Sequence, residues 1–583
     1  MGPKSIMDRP DEGDSDVDAS AEPAVKRPSS DGETAPMRAA ARKDVAEVRR
    51  HLDECGRDAS GRTALMIAAQ QGHKEVKEAL LEHEKGMRDN QNHNALYYAL
   101  KSGHMETAKA ILPYEDPTDE NDVTALMRAA DRGDAEMVEL LVPIQKGMKD
   151  KDGNMAFMHA LKSKHADVAM ILLEHEAPSW TPLMCAAFTG DAEAAKWHLS
   201  GKDKRNSDGD TALVLAARAG HKSIVELLDP TDEKGVTALM RAAARGDVEA
   251  VKALVPFQKR RKMTRTAFIN GCYISYGTAL MWAAQNGYIE CVKLLVEKEG
   301  GMQSAKRWTA LMSAAESGHT NCVRLLLEKE IGMQSKNGWT ALMNAARNGH
   351  SECVRLLLEK EANVQARNGW TALICAAEHG CTDCVKLLLE KEGGIRSRTG
   401  KTALMVAAQG GRVECVKLLL EKEIGMQTND GVTALMCAAE NSHTECVKLL
   451  AEQEACMQDE DGWTALMVAV QNDHAACAAL LVEFEGGMQD TDGRTALMIA
   501  AERGCTDCVG PLVEKEDCMR NLQGWTALLM AVVNNNLECA RLLARRETDM
   551  KTTHEWNGFP PGTTALDIAR RKGYEELVSI LSG

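Results

Sequence analysis

The sequence predicts an all-α solenoid of about eighteen helix-turn-helix units with short hairpin fingers. One tetrad recurs at fixed spacing, each recurrence carries two helix signals, and a single recurrence is too short to enclose a core. Thr-Ala-Leu-Met or a close variant starts at Thr278, Thr309, Thr340, Thr371, Thr402, Thr433, Thr464, Thr495 and Thr526, giving eight consecutive intervals of 31 residues. Upstream the frame continues less evenly through Thr34, Thr63, Asn94, Thr124, Met155, Thr181, Thr211 and Thr237, and downstream it closes at Thr564. This periodicity overrides the expectation that a chain of 583 residues divides into roughly three or four globular domains.

The unit at residues 338–368 reads GWTALMNAARNGHSECVRLLLEKEANVQARN. Thr340 supplies a side-chain acceptor just before an Ala-Leu run, and Gly349 ends that run, so a first helix of about nine residues is expected between them. Beyond Gly349, Cys353, Val354, Leu357 and Leu358 recur at spacings of three and four, the apolar stripe of a second helix, with charge at Arg355, Glu359 and Lys360. Neither helix buries its apolar face alone, so successive units must stack.

The pattern T-A-L-M-x-A-A-x-x-G-H-x-x-C-V-x-L-L-L resembles the ankyrin unit, whose usual opening is Thr-Pro-Leu-His followed by Ala-Ala and Gly-His, over about 94% of the chain. Ala replaces the family's Pro except at Pro36 and Pro182, Met replaces its His, and the period is 31 residues, which implies a shortened finger. Loss of the Thr-to-His hydrogen bonding implies weaker units, offset by buried Met packing. Ser442, Asp473 and Asn536 are read as filling glycine slots. The wording TALM with CVKLLLEKE-x-GMQ is similar to the ankyrin-only family of diplomonads known as protein 21.1, whose members act mostly as scaffolds, some placed on the cytoskeleton; related chains carry an N-terminal kinase. Residues 1–33, the part outside the repeats, hold no glycine-rich loop, HRD or DFG motif.

Composition fits a binding protein. The net charge of −16 is spread through Glu-rich segments, which argues against attraction to nucleic acid and for partners with basic surfaces. No apolar leader and no run of eighteen apolar residues appears, so neither secretion nor membrane insertion is expected, and the eighteen cysteines are read as those of a cytoplasmic or cytoskeleton-associated protein.

Five segments are expected: an acidic, Ser- and Pro-rich disordered tail (1–33), irregular repeats (34–255), a basic insertion loop (256–277), regular repeats (278–553), and a loop with a polar capping repeat (554–583). Ser15, Ser29 and Ser30 sit in contexts that kinases accept. Lys259, Arg260, Arg261 and Lys262 are read as a solvated stretch paired with glutamates, with a nuclear signal as the alternative.

No constellation of nucleophile, base and orienting group stands at a unique position, so no catalytic residue, cofactor or small-molecule substrate is expected. Nine of the cysteines, one at every 31st residue from Cys291 to Cys539, stack about 10 Å apart, too far for disulfides and suited to tight helix contacts. Cys381 with Cys384, and Cys505 with Cys508, are each half of a zinc site with no matching half, so no metal is expected. Histidines such as His319 and His350 follow the turn glycine, where the resemblance implies that they brace neighbouring units.

The candidate binding residues are the tryptophans just before the repeat threonine, which in ankyrin proteins lie at the finger beside the concave surface. Trp308, Trp339 and Trp370 form a candidate aromatic strip, and Trp463 and Trp525 occupy the same slot, as does Trp180. Packing of each indole against the next finger is the competing reading. Ser313, Asn344, Glu316, Arg347, Glu378 and His379 are expected to supply polar specificity around the strip. The expected function is a non-enzymatic scaffold for protein partners, with a structural cytoskeletal role and regulation of a kinase as alternatives.

Overall fold

Each repeat threonine starts a helix for a local reason. Thr340 holds an extended backbone (φ −107°, ψ 172°), and its Oγ1 accepts a hydrogen bond from Met343 N at 3.3 Å, satisfying a first-turn amide that has no partner within the helix. The inner helix Ala341–Arg347 follows. Gly349 then turns the chain with φ +76°, and the outer helix Ser351–Glu361 returns alongside. The computed structural model describes residues 32–269, 272–275, 277–555 and 558–582. Among these, thirty-six α-helices form eighteen such pairs. They fall into two compact units, one ending at Leu228 with seven pairs and one beginning at Asp229 with eleven.

Within each unit, inner helices pack on inner helices and outer on outer. The inner helix Ala341–Arg347 lies between Ala310–Glu316 and Ala372–His379. Leu342, Met343, Ala345, Ala346, Cys353, Val354 and Leu357 are all buried, and so are their counterparts one period away, so the core passes unbroken from pair to pair. The cysteine column lies inside these outer-helix contacts, with Thr320 Oγ1 3.6 Å from Cys353 Sγ.

Two polar staples join successive pairs. His350 Nε2 lies 3.0 Å from Glu316 O, the last helical residue of the preceding inner helix, and His319 Nε2 makes the same contact with Gln285 O at 3.1 Å. A carbonyl only accepts, so the ring nitrogen facing it carries the hydrogen. The histidines therefore brace neighbouring units, and Arg412 and Asn536 do the same work for Glu378 O and Glu502 O. Opposite the His350 ring stands Gly318, on which a Cβ would lie 2.5 Å from His350 Nδ1; Ser442 takes that place opposite His474, whose Nε2 keeps its contact with Glu440 O at 3.0 Å.

The second staple is a buried carboxyl at the end of the outer helix. Glu361 is 1% exposed; its Oε2 accepts from Leu342 N at 2.8 Å, in the first turn of its own inner helix, and its Oε1 from Gly332 N at 3.0 Å, in the preceding loop. Glu330, Glu392, Glu423, Glu454, Glu485 and Glu516 repeat both contacts. Burial pushes the Glu330 carboxyl upward, against the backbone amides of Leu311 and Gly301, which hold it down.

Several expectations change. The inner helix Ala341–Arg347 has seven residues, not nine, because Asn348 and Gly349 already belong to the turn. Asn536 lies in the histidine slot; Asn535, at φ +57°, is the residue in the glycine slot, alongside Ser442 and Asp473 at φ +60° and +58°. Methionine does more than pack: Met66 Sδ and Met127 Sδ each accept the amide of the repeat threonine at 3.4 Å. The insertion after Gln258 is not a plain loop, since Thr266–Ile269 and Cys272–Ser275 pair as an antiparallel hairpin. Ala267 and Ile274 are buried beneath it, and Lys259 to Lys262 are exposed. The expected pairing with glutamates is made by a backbone group: Arg260 N donates to Glu299 Oε1 at 2.9 Å, while Lys262 Nζ donates to Gln303 O at 2.5 Å. The serines proposed for phosphorylation, Ser15, Ser29 and Ser30, lie outside the described residues, as does nearly all of the expected tail.

Removing the Glu361 carboxyl strands two amides. Glu361→Ala should destabilise its unit by about 2–4 kcal/mol in urea unfolding, with hydrogen exchange rising first at the amides of Gly332 and Leu342, whereas Glu359→Ala, on the exposed side of the same helix, should cost under about 0.5 kcal/mol. Glu115 adds a pH test. Its Oε1 takes only Gly86 N, its Oε2 is buried with no hydrogen-bond partner among the described residues, and burial raises its carboxyl to about 7. The folded chain thus holds a proton that the unfolded chain releases. The contribution is fully present below the ordinary carboxylate range and is lost as pH rises through about 7. Glu115→Gln should therefore flatten the decline of Tm between about pH 5 and about pH 8.

Candidate protein-binding surface

The fingers are tight turns between each outer helix and the next threonine. In the finger at 301–308, Ser304 N donates to Trp308 O at 2.9 Å, and Ser304 Oγ accepts Trp308 N at 3.0 Å, so a serine at the finger base closes the turn. Successive fingers are bonded edge to edge: Lys336 N to Lys306 O at 2.8 Å, Arg367 N to Asn337 O at 2.9 Å, Arg398 N to Asn368 O at 3.1 Å. This approach excludes a side chain at Gly369, where a Cβ would stand 2.4 Å from Arg398 N.

The tryptophans are partly consumed by this packing. Trp308 is half-buried, and its indole Nε1 donates to Ser313 Oγ at 3.0 Å. Trp339 is half-buried with the Arg347 guanidinium 5.6 Å from its ring centre, and Arg347 Nε donates to His379 Nε2 at 3.3 Å. Trp370 and Trp463 are also half-buried, Trp463 with Arg494 at 5.8 Å from its ring. Side-chain volume is shared between the finger slot and the fourth residue after the threonine's cap. Trp308 stands over Ser313, to which its indole N–H is bonded, whereas in the unit before Gly277 takes the finger slot and the fully buried Trp282 takes the position of Ser313.

Three of the candidate residues are therefore not surface groups. Ser313 is 0% and Asn344 4% exposed; both lie under the finger side chain, with Ser313 Oγ and Asn344 Nδ2 donating to Thr309 O and Thr340 O. Trp525 is 0% exposed because the lengthened loop after residue 553 lays Phe559 edge-on at 6.4 Å. Trp180 likewise packs between Phe157 and Phe188.

Two clefts keep finger tryptophans at the surface. Trp308, Trp339, Lys306, Lys336, Glu316 and Arg347 line an open depression of about 540 Å³ between two fingers and their inner helices, with Asn344 at its floor. His379 and Arg347 are exposed at its rim, and Glu378 is half-exposed beside them. Trp463 borders a separate cleft with Asp459, Asp461, Asp492 and Arg494. Among the described residues no group of three His, Cys, Asp or Glu is placed to hold a metal ion, and no helix is long and apolar enough to cross a membrane.

The two kinds of tryptophan separate in a mutational test. Trp525→Ala should cost about 3–5 kcal/mol in thermal or urea unfolding, as for a deleted core aromatic, and Trp339→Ala no more than about 1–2 kcal/mol.

Comparison with known families agrees with this geometry. A family model described as ankyrin repeats (3 copies) matches in successive, mostly overlapping segments, the first at residues 19–87 and the last at 512–583, with most of the chain between them covered. Thirty-six helices in repeated pairs joined by fingers, with that match along the whole array, place the chain in the ankyrin-repeat family.

Proposed function

We propose that this ankyrin-repeat protein is a non-enzymatic cytoplasmic scaffold that holds protein partners in the groove between its fingers and inner helices; its resemblance to the protein 21.1 family, whose members act mostly as scaffolds, supports the scaffold role. Ankyrin repeats are protein-interaction modules in general. The observation that carries the reading for this chain is the cleft bounded by Trp308, Trp339 and Arg347: a rigid apolar edge ringed by charged, solvent-facing groups, the composition of a binding hot spot with a polar rim. The two fingers that bound it are joined by the bond from Lys336 N to Lys306 O, and the second is joined to the next by the bond from Arg367 N to Asn337 O, so a partner meets a surface already ordered.

The test compares tagged full-length protein with the variant carrying Trp308→Ala, Trp339→Ala and Trp370→Ala in affinity purification. Loss of partners by roughly tenfold or more, with the variant still folded by circular dichroism, is the expected result. Wild-type recovery of every partner would make the three indoles packing groups alone.

A further inference from the structure

Charge along the finger row is segregated. Segments 259–265, 301–308, 332–339, 363–370 and 394–401 hold twelve Lys or Arg and no Asp or Glu, in a chain whose net charge is −16. The next three fingers, 425–432, 456–463 and 487–494, hold six Asp or Glu against one Arg. The division has a structural origin in part. Asp459 and Asp490 occupy the finger-base slot, where each closes the turn by accepting the amide of Trp463 or Arg494 at 2.7 Å. In the cationic fingers that slot holds Ser304, Ser335, Ala366 and Ser397, which leave the turn uncharged. Lys336, Arg367 and Arg398 are equivalent positions one period apart at the finger tips. All three are exposed, and among the described residues none has a carboxylate partner for its side chain. Twelve cations without an acid among them raise the local potential of a chain that is otherwise acidic.

We propose that the fingers from 301 to 401 bind an acidic, extended segment of a partner protein, its carboxylates seated on Lys336, Arg367 and Arg398 and an apolar side chain entering the Trp308–Trp339 cleft. The inference rests on the scaffold reading and specifies the partner's chemistry. Equivalent fingertips recur at the helix-packing distance, about 10 Å, and an extended chain rises about 3.3 Å per residue, so the segment carries an acid at about every third position. A single-stranded nucleic acid fits less well. Its bases need free ring faces, whereas Arg347 lies over Trp339 and the Trp308 indole N–H is bonded to Ser313. Glu316 and Glu378, on the adjoining inner helices, would repel a continuous phosphate backbone but can lie between widely spaced carboxylates.

The experiment is fluorescence anisotropy on the full chain with a labelled peptide of about 13 residues carrying Glu at every third position and one central Leu. Saturable binding that weakens about tenfold from about 0.05 M to about 0.3 M salt is expected. The variant with Lys336→Glu, Arg367→Glu and Arg398→Glu should bind about 10- to 100-fold more weakly, and the variant with Asp430→Lys, Asp461→Lys and Asp492→Lys as well as wild type or better. All six positions are exposed side chains, and thermal melts check that both variants fold. No binding of the peptide, equal binding by the charge-reversed variant, or equal binding of a peptide with Lys in place of Glu would overturn the proposal. So would tighter binding of oligothymidylate, which marks a nucleic-acid site, or a salt-sensitive self-association removed by the same reversal without effect on the peptide, which marks a second copy as occupant. A silent peptide together with partner loss in the tryptophan variant would leave the scaffold reading standing and discard the acidic class.

Discussion

An inner helix of seven residues, such as Ala341–Arg347, has about two turns, too few to persist in water, and begins with amides that no helical carbonyl can reach. The buried glutamate of the outer helix answers both problems. Its Oε2 takes a first-turn amide, where the helix dipole favours negative charge, and its Oε1 takes an amide from the preceding loop. One side chain thus fixes three elements: the outer helix that carries it, the inner helix it caps and the unit before. The two contacts span 19 and 29 residues at each glutamate from Glu330 to Glu516, whereas at Glu299 the second spans 39, to Arg260 N, because the hairpin is inserted between them. From Glu299 to Glu547 the glutamates themselves recur every 31 residues.

The exceptions support this account. Where the preceding outer helix ends in Asp116-Pro117 or Asp229-Pro230, the slot holds Gln145 or Gln258, each accepting one amide through Oε1, from Leu126 at 2.9 Å and Leu239 at 2.8 Å. Proline has no amide hydrogen to offer, so one acceptor suffices and a neutral carboxamide supplies it without burying a titratable group. At Gln145 and Gln258 acceptor number in the side chain follows donor number in the backbone, where each unmatched buried polar group costs on the order of 1–3 kcal/mol, while Glu115, with its unpaired Oε2, departs from that match.

The helix pairs were legible in the sequence because cap, turn glycine and apolar stripe act within one unit: Thr340, Gly349 and the Cys353–Leu358 stripe lie where their spacing puts them. Glu361 was not legible. It ends the run Glu-Lys-Glu, which reads as a solvated helix end, and becomes buried only when the neighbouring loop closes over it. Trp525, Ser313 and Asn344 were misread for the same reason, since Phe559 in a later loop covers the first and finger side chains cover the other two. The hairpin after Gln258 did carry a local signal. Asn270-Gly271 between two runs of aromatic and β-branched residues is a strong sequence mark of a two-residue turn, but the density of Lys and Arg just before it suggested a solvated loop.

A residue repeated in every unit serves the stack, as the glutamates, the histidine slot and the turn glycines do, so recognition must come from positions the stack leaves free. Two kinds meet that condition. The finger-slot indole is free only in part, because its volume is traded against the helix residue beneath it; the exchange between Trp308 over Ser313 and Gly277 with Trp282 makes it a packing group with one exposed edge. The fingertips are freer still, since neighbouring fingers are held by backbone bonds that do not depend on the side chain, as between Lys336 N and Lys306 O. Asn429, Glu460, Thr491 and Leu522 take the tip position of Lys336 in later fingers, and the backbone bond to the preceding finger is kept in each. Sequence at the tips is thereby released from folding and left to answer to whatever lies against it, and there three consecutive fingers place the cations Lys336, Arg367 and Arg398.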